Sequence, residues 1–313
     1  MKKVAISIGD LNGIGIQLAL ENHHIVSSIV DPVYCIDQKM LEQAAKKLNL
    51  TVPDNFKTVA NIAPSFEIEP AIVSKESGTY AYASFVKAVK LADEKYVDAI
   101  CTLPIHKKAW ELANLNYKGH TDALRDFFNA EAIMMLGCEK MYVALFTEHI
   151  PLKEVAGNIN EKDLTRFLLD FYRTAKPKDQ VAVLGLNPHA GDNGVLGDEE
   201  TVISKAIDNV NKSLLTHHSS LPTFKGPLVP DVAFTPKTRK NYTHYIAMYH
   251  DQGLTPLKAL YFDEGINVSL NLPILRTSVD HGTAFDIAYK NVELNNLSYI
   301  NAIKYIIKNP KGL

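Results

Sequence analysis

Cysteine is scarce in this sequence. Three occur in 313 residues, Cys35, Cys101 and Cys138, each in apolar surroundings and none in C-x-x-C spacing. That argues against a disulfide framework and against a cysteine zinc knuckle, and it predicts core thiols in a reducing cytoplasm. Long apolar runs are also missing: none reaches the roughly 18 residues a membrane-spanning helix needs. The apolar start after Met1-Lys2-Lys3 breaks at Gly9-Asp10, so no export signal is expected. Nor does charge of one sign dominate. A formal net charge of -2 leaves no electrostatic case for nucleic acid. There is no internal repeat and no low-complexity tract.

What is present is the pattern of a layered α/β protein, with short Val/Ile-rich runs alternating with longer segments of helical period. The chain is long enough for one large domain or two medium ones sharing a cleft. Strands are expected at Val4–Ile8, Val33–Ile36, Ala99–Leu103, Tyr142–Phe146, Val181–Leu186, Val232–Phe234, Tyr245–Tyr249 and Asn267–Leu270. The clearest helix is expected from about Gly78 to Lys95, where Tyr82, Phe85, Val86 and Val89 share a face. Others are expected at Met40–Leu48, Lys162–Thr174, Glu199–Asn211 and Tyr299–Ile307. Leu215–Pro230, interrupted by serines, histidines and prolines, reads as a surface excursion or a lid.

Of eleven histidines, His23, His24, His217, His218, His106 and His244 read as solvated side chains. The other five, His120, His149, His189, His250 and His281, fall where strand-like runs end or loops turn among Gly, Pro and small polar residues. Ligands of open α/β sheets bind beyond the carboxyl ends of the strands, so five histidines in such positions point to a site. His149, His189 and His250 closely follow strand-like runs, and three neutral imidazoles with an open position suit a divalent first-row metal. Spacing alone does not establish that set, and structural histidines remain the alternative.

Five ordered blocks carry a wider likeness: Gly119-His120-Thr121, His149-Ile150-Pro151-Leu152, Leu186-Asn187-Pro188-His189-Ala190-Gly191, Tyr249-His250-Asp251-Gln252-Gly253 and Leu272 through Thr283. Together they closely resemble the 4-hydroxythreonine-4-phosphate dehydrogenase (PdxA) family. The resemblance implies the two-lobed α/β fold of isocitrate and isopropylmalate dehydrogenases with a central cleft. One lobe would comprise residues 1–130 plus 265–313, and the other residues 131–264. It implies one divalent metal (Zn, Mg or Co) on His149, His189 and His250, with substrate contacts from His120, Thr121, Lys258, Asn267 and Arg276. It also implies NAD or NADP as cofactor and a cytoplasmic homodimer with its active site at the subunit interface.

The implied reaction oxidises 4-phosphohydroxy-L-threonine to 2-amino-3-oxo-4-phosphooxybutanoate, which decarboxylates to 3-amino-2-oxopropyl phosphate, in pyridoxine 5'-phosphate (vitamin B6) biosynthesis. Elementary chemistry agrees. A Lewis acid on the alcohol oxygen stabilises the alkoxide and then the enolate left by loss of carbon dioxide. Lys258 and Arg276 suit a phosphate or carboxylate, Arg with a bidentate fork. His120 and Lys258 are the candidates for moving protons, while Asp231 and Asp251 are candidates to orient a ligand histidine.

For the cofactor, His281, Gly282, Thr283 and Asp286 resemble the adenosine-cradling segment of the isocitrate dehydrogenase group. The opening bend Gly9-Asp10-Leu11-Asn12-Gly13-Ile14-Gly15 looks like a nucleotide loop, but it lacks the two prolines and the alanine usual in the PdxA family. It is read as a strand-to-helix turn with Asp10 near the active site, and Asp37 as a helix cap. Three alternatives stand beside this reading: a paralogous dehydrogenase of phosphorylated threonate or erythronate, a phosphate acyltransferase-like enzyme, and a non-catalytic metal-binding protein.

Overall fold

The computed structural model describes residues 1–215 and 223–309. His217 and His218, and part of the Leu215–Pro230 segment, lie outside them. Ten strands occur among the described residues: β1 (Lys3–Ser7), β2 (Asp31–Cys35), β3 (Ala99–Thr102), β4 (Ile133–Cys138), β5 (Met141–Leu145), β6 (Val181–Leu184), β7 (Phe224–Leu228), β8 (His244–Ala247), β9 (Ile266–Leu270) and β10 (Arg276–Val279). The chain divides into two compact units, Met1–Ala132 with Ile266–Leu313, and Ile133–Gly265.

In the first unit the strand order is β2-β1-β3-β10-β9. The first four run parallel, and β9 pairs antiparallel with β10. Central strands are covered on both faces, so β1 and β3 are buried along nearly their whole length. The helix Lys75–Asp93 starts where the Ser74 hydroxyl accepts from the Ser77 amide. It buries Tyr80, Ala81, Ser84, Phe85, Ala88, Val89 and Ala92, while Tyr82 and Val86 are only partly buried at its margin. The core-facing stripe is therefore rotated from the one expected. Trp110, Leu124, Ile100 and Leu272 complete that core.

In the second unit the order is β4-β5-β8-β6-β7. β4 and β5 form an antiparallel pair, and the remaining pairings are parallel. Met141, Val143, Leu145, Leu184, Tyr245 and Leu257 lie in its core. The helix Glu161–Ala175 is capped by Asn160, whose side chain accepts from the Asp163 amide, and buries Leu164, Leu168 and Phe171.

Several expectations are corrected here. Val232–Phe234 is not a strand: Pro230 opens a one-turn helix, Pro230–Ala233, because its fixed φ suits the first helical position. Part of the supposed loose segment, Phe224–Leu228, is instead β7. His23 is buried, not solvated, with Nδ1 3.0 Å from the Tyr34 hydroxyl and Nε2 3.0 Å from Asn55 Oδ1. His244 is half-buried against Tyr142, and burial pushes its imidazole down to about 4. His106 is half-buried too, its ring 4.8 Å from that of Phe285. The three cysteines are free and buried, and Asp37 does cap the helix Gln38–Leu48 by accepting from the Met40 amide. No helix among the described residues is long and apolar enough to cross a membrane.

Candidate functional site

In the second unit the chain leaving β5 is zipped to the chain leaving β8. The Phe146 amide donates to the Ala247 carbonyl at 2.9 Å, and the Thr147 amide and hydroxyl both donate to the Met248 carbonyl, at 3.2 and 2.6 Å. This brings His149 and His250 together, with ring centroids 5.6 Å apart. His250 begins the helix His250–Tyr261. Gly253 lets that helix press onto β5, since a Cβ there would collide with the Val143 side chain. Asp251 Oδ1 lies 2.7 Å from His250 Nδ1, which fixes the ring and leaves Nε2 for a ligand.

His189 sits differently. It is exposed in the short Pro188–Gly194 segment, whose residues from His189 to Asn193 have left-handed backbone. Glu200 anchors the chain leading into that segment: its Oε1 accepts from the amides of Leu186 at 2.8 Å and Asn187 at 2.7 Å. Gln252 ties the other side, donating to the Gly185 carbonyl and accepting from the Met248 amide, each at 2.7 Å. Glu200 carries no motif signal in the sequence, and Gln252 carries only its place in the Tyr249–Gly253 block.

Two imidazoles on one tetrahedral ion, with metal–nitrogen bonds of about 2 Å, would have ring centroids about 5 Å apart. His149 and His250 fit that spacing to within a small rotation of either ring. His189 is not brought into a three-ligand group: among the described residues no set of three His, Cys, Asp or Glu side chains is close enough to hold a metal. Asp231 is exposed in the helix Pro230–Ala233. Lys258 is half-buried in the last turn of its helix, with Nζ 5.6 Å above the Phe262 ring.

In the first unit Arg276, the first residue of β10, is almost fully buried, and no carboxylate among the described residues reaches it. Its hydrogen-bond acceptors are all neutral. Nε and Nη2 donate to Thr102 Oγ1 at 3.2 and 2.8 Å, while Nη1 donates to Ser269 Oγ at 3.0 Å and to Asn267 Oδ1 at 3.4 Å. Burial lowers the guanidinium to about 10, so it stays charged at neutral pH. In this arrangement the Nε/Nη2 edge, one of the two faces that could form a bidentate fork, donates to Thr102.

Beside this charge, the helix His120–Phe128 presents two buried polar residues at its start. Thr121 Oγ1 lies 3.2 Å from Ser269 Oγ. His120 packs against Phe85 and Trp110, with centroids 4.9 and 5.4 Å away, and its buried Nε2 has no partner among the described residues. Burial first, and then the positive charge of Arg276, hold its imidazole well below the usual range. His120 is therefore a neutral donor or acceptor at pH 7. A buried cation with only neutral partners, next to an unsatisfied imidazole nitrogen, is what an anion-binding site requires.

The opening bend belongs to the same unit. The Ile14 amide donates to the Thr283 carbonyl at 3.1 Å, and a Cβ on Gly13 would lie 2.8 Å from that oxygen. Tyr289 also donates to the Leu11 carbonyl at 2.7 Å. The bend thus braces the His281–Asp286 segment. Within it Thr283 is buried, Gly282 and Asp286 are exposed, and His281 Nδ1 lies 3.1 Å from the Gly282 carbonyl oxygen.

Asp10 is fully buried and receives hydrogen bonds from the Asn12 amide at 3.0 Å and the Ser77 hydroxyl at 3.2 Å. Burial nonetheless raises its carboxyl to about 6. Between the unfolded value of 3.8 and 6, the folded chain holds the proton more tightly. The stability contribution of Asp10 therefore falls as pH rises through that window, by about 3 kcal/mol in all. Asp10→Asn should raise the melting temperature relative to wild type at pH 7.5, with a much smaller difference at pH 4.5. Equal differences at the two pH values would contradict this.

The sequence matches the family model described as pyridoxal phosphate biosynthetic protein PdxA over residues 28–306. The chain belongs to the PdxA family. A PdxA relative from Sulfurimonas denitrificans, named 4-hydroxythreonine-4-phosphate dehydrogenase, is 58% identical over 305 residues, covering 97% of each chain. The crystal structure of a 4-hydroxythreonine-4-phosphate dehydrogenase from Burkholderia phymatum matches with a TM-score of 0.79 and 29% identity, over 100% of this chain and 99% of that one. A β-decarboxylating dehydrogenase from Thermococcus kodakarensis shares the fold, at a TM-score of 0.52 and 10% identity, over 99% of this chain and 83% of that one.

Proposed function

We propose that this PdxA-family chain oxidises 4-phosphohydroxy-L-threonine with NAD or NADP, giving 2-amino-3-oxo-4-phosphooxybutanoate and, after decarboxylation, 3-amino-2-oxopropyl phosphate. It is an oxidoreductase of pyridoxal phosphate biosynthesis, acting in the cytoplasm as a homodimer with its active site at the subunit interface. A mass measurement in solution tests the dimer, and a monomer that turns over at the full rate would overturn it. The observation that carries the reading is Arg276, a buried charge held by neutral acceptors beside the unpartnered Nε2 of His120. It supports an anionic substrate.

In this reading Arg276, Asn267, Thr121 and His120 bind and orient the phosphorylated substrate, and Lys258 adds a second positive charge. His120, neutral at working pH, takes a substrate hydrogen bond on Nε2 and so selects for a donor or acceptor at that position. A divalent ion (Zn, Mg or Co) held by His149, His250 and His189 would supply Lewis acidity toward the alcohol oxygen. Asp251 keeps His250 in the ring orientation that binding needs. The dinucleotide would meet His281, Gly282, Thr283 and Asp286, a segment stiffened from behind by the opening bend.

Absorbance at 340 nm with purified protein, comparing 4-phosphohydroxy-L-threonine with phosphorylated threonate and erythronate, decides the substrate. The expected result is a kcat/KM at least about a hundredfold higher for the amino acid, as when a site hydrogen-bonds a group its rivals lack. Higher kcat/KM with either acid overturns the substrate assignment.

A further inference from the structure

We propose that Ser269 and Thr102 are positioning residues of the anion site, fixing which protons of Arg276 and Thr121 remain for the substrate. The proposal rests on the reading that Arg276 and Thr121 bind the substrate. Ser269 is buried in β9, and its Oγ contacts both side chains, 3.0 Å from Arg276 Nη1 and 3.2 Å from Thr121 Oγ1. Thr102, buried at the end of β3, takes Nε and Nη2 of Arg276 on one oxygen.

A guanidinium has five N–H groups and accepts nothing. The contacts to Thr102, Ser269 and Asn267 engage Nε, Nη2 and Nη1 in four hydrogen bonds, which leaves one Nη2 proton. Ser269 Oγ accepts from Arg276, which leaves its own proton free to go to Thr121 Oγ1, one of the two directions that the 3.2 Å contact allows. With Ser269 donating to Thr121 Oγ1, the Thr121 proton is left over and points away from Ser269. Two directed protons then meet the anion, one from a charged group and one from a hydroxyl, in place of a two-pronged fork. Neither residue needs to touch the substrate for this.

The test compares Ser269→Ala, Ser269→Thr, Thr102→Val and Thr102→Ser in the full-length protein, using steady-state KM for the phosphorylated substrate and for the dinucleotide, with Arg276→Met as reference. Ser269→Ala and Thr102→Val should each raise the substrate KM by roughly tenfold or more, the usual effect of losing a hydrogen bond to a charged group. The dinucleotide KM should stay within about twofold and the hydroxyl-keeping variants within about threefold of wild type. If Arg276→Met raises the substrate KM and the two hydroxyl deletions do not, the positioning role is overturned. A rise in both KM values with no rescue by Ser or Thr overturns it too, since that marks general damage. Unchanged substrate KM in Arg276→Met overturns the underlying assignment of Arg276 instead.

Discussion

Arg276→Met should lower kcat/KM for the phosphorylated substrate by at least about a hundredfold while leaving the folded protein as stable as before, or more so. The two halves of that result have one cause. A buried charge with no counter-ion carries a desolvation penalty of several kcal/mol, which hydrogen bonds to Thr102, Ser269 and Asn267 offset only in part. Met fills similar space without the charge, and the hydroxyls of Ser269 and Thr121, already 3.2 Å apart, can satisfy each other. Losing a charged partner for a buried anion costs about 2–5 kcal/mol of binding, which sets the scale of the kinetic loss. Inorganic phosphate gives a clean check: it should raise the melting temperature of wild type and leave that of Arg276→Met unchanged. A variant that loses stability and activity together would mean that Arg276 serves the core.

His149→Ala, His189→Ala and His250→Ala should each abolish stoichiometric divalent metal and reduce turnover by more than about a hundredfold, beyond the ten- to hundredfold typical of removing an outer-shell partner. Asp251→Ala, which frees His250 Nδ1 from its 2.7 Å contact, should fall within that smaller range. Metal content of dialysed protein, measured by elemental analysis, reads both effects, and far-ultraviolet circular dichroism should show the fold unchanged. His189 is the decisive variant because His149 and His250 lie together, whereas among the described residues no third ligand joins them. Wild-type metal content in His189→Ala would limit the protein's ligand set to the other two.

Much of the layered α/β pattern could be read from short Val/Ile runs because buried parallel strands write their burial into composition. β10 gives no strand signal because Arg276-Thr277-Ser278-Val279 is buried yet mostly polar; its partners, not its hydrophobicity, make it a strand. β4 was hidden by the methionines of Ile133-Met134-Met135-Leu136, which carry no β-branched signal. The helix His250–Tyr261 contains Gly253 and Pro256, both breakers in a sequence reading, and exists because the missing Cβ of Gly253 permits close packing on β5.

At the site, the residues that announce themselves are those at strand ends in distinctive motifs, such as His149, His250 and Arg276. The residues that hold them do not. Thr102, Ser269, Gln252 and Glu200 are common residue types whose role depends on which strand ends meet in space, and no spacing rule brings Thr102 to Arg276 across 174 positions. The same limit explains His23: an adjacent pair on a polar stretch reads as exposed, and only the fold shows Tyr34, Asn55 and Phe56 closing over it. The opening bend illustrates the converse. Its glycines suggest a phosphate cradle, whereas Gly13 is small because the Thr283 backbone lies against it.

The most direct measurement follows absorbance at 340 nm with 4-phosphohydroxy-L-threonine and NAD or NADP, using protein as purified, after chelator treatment, and after divalent metal is restored. Nicotinamide reduction should disappear with the chelator and return with the metal. Full-rate reduction in protein shown to be metal-free would contradict the metal centre, and no reduction by fully metal-loaded, folded protein with either nucleotide would contradict the proposed reaction.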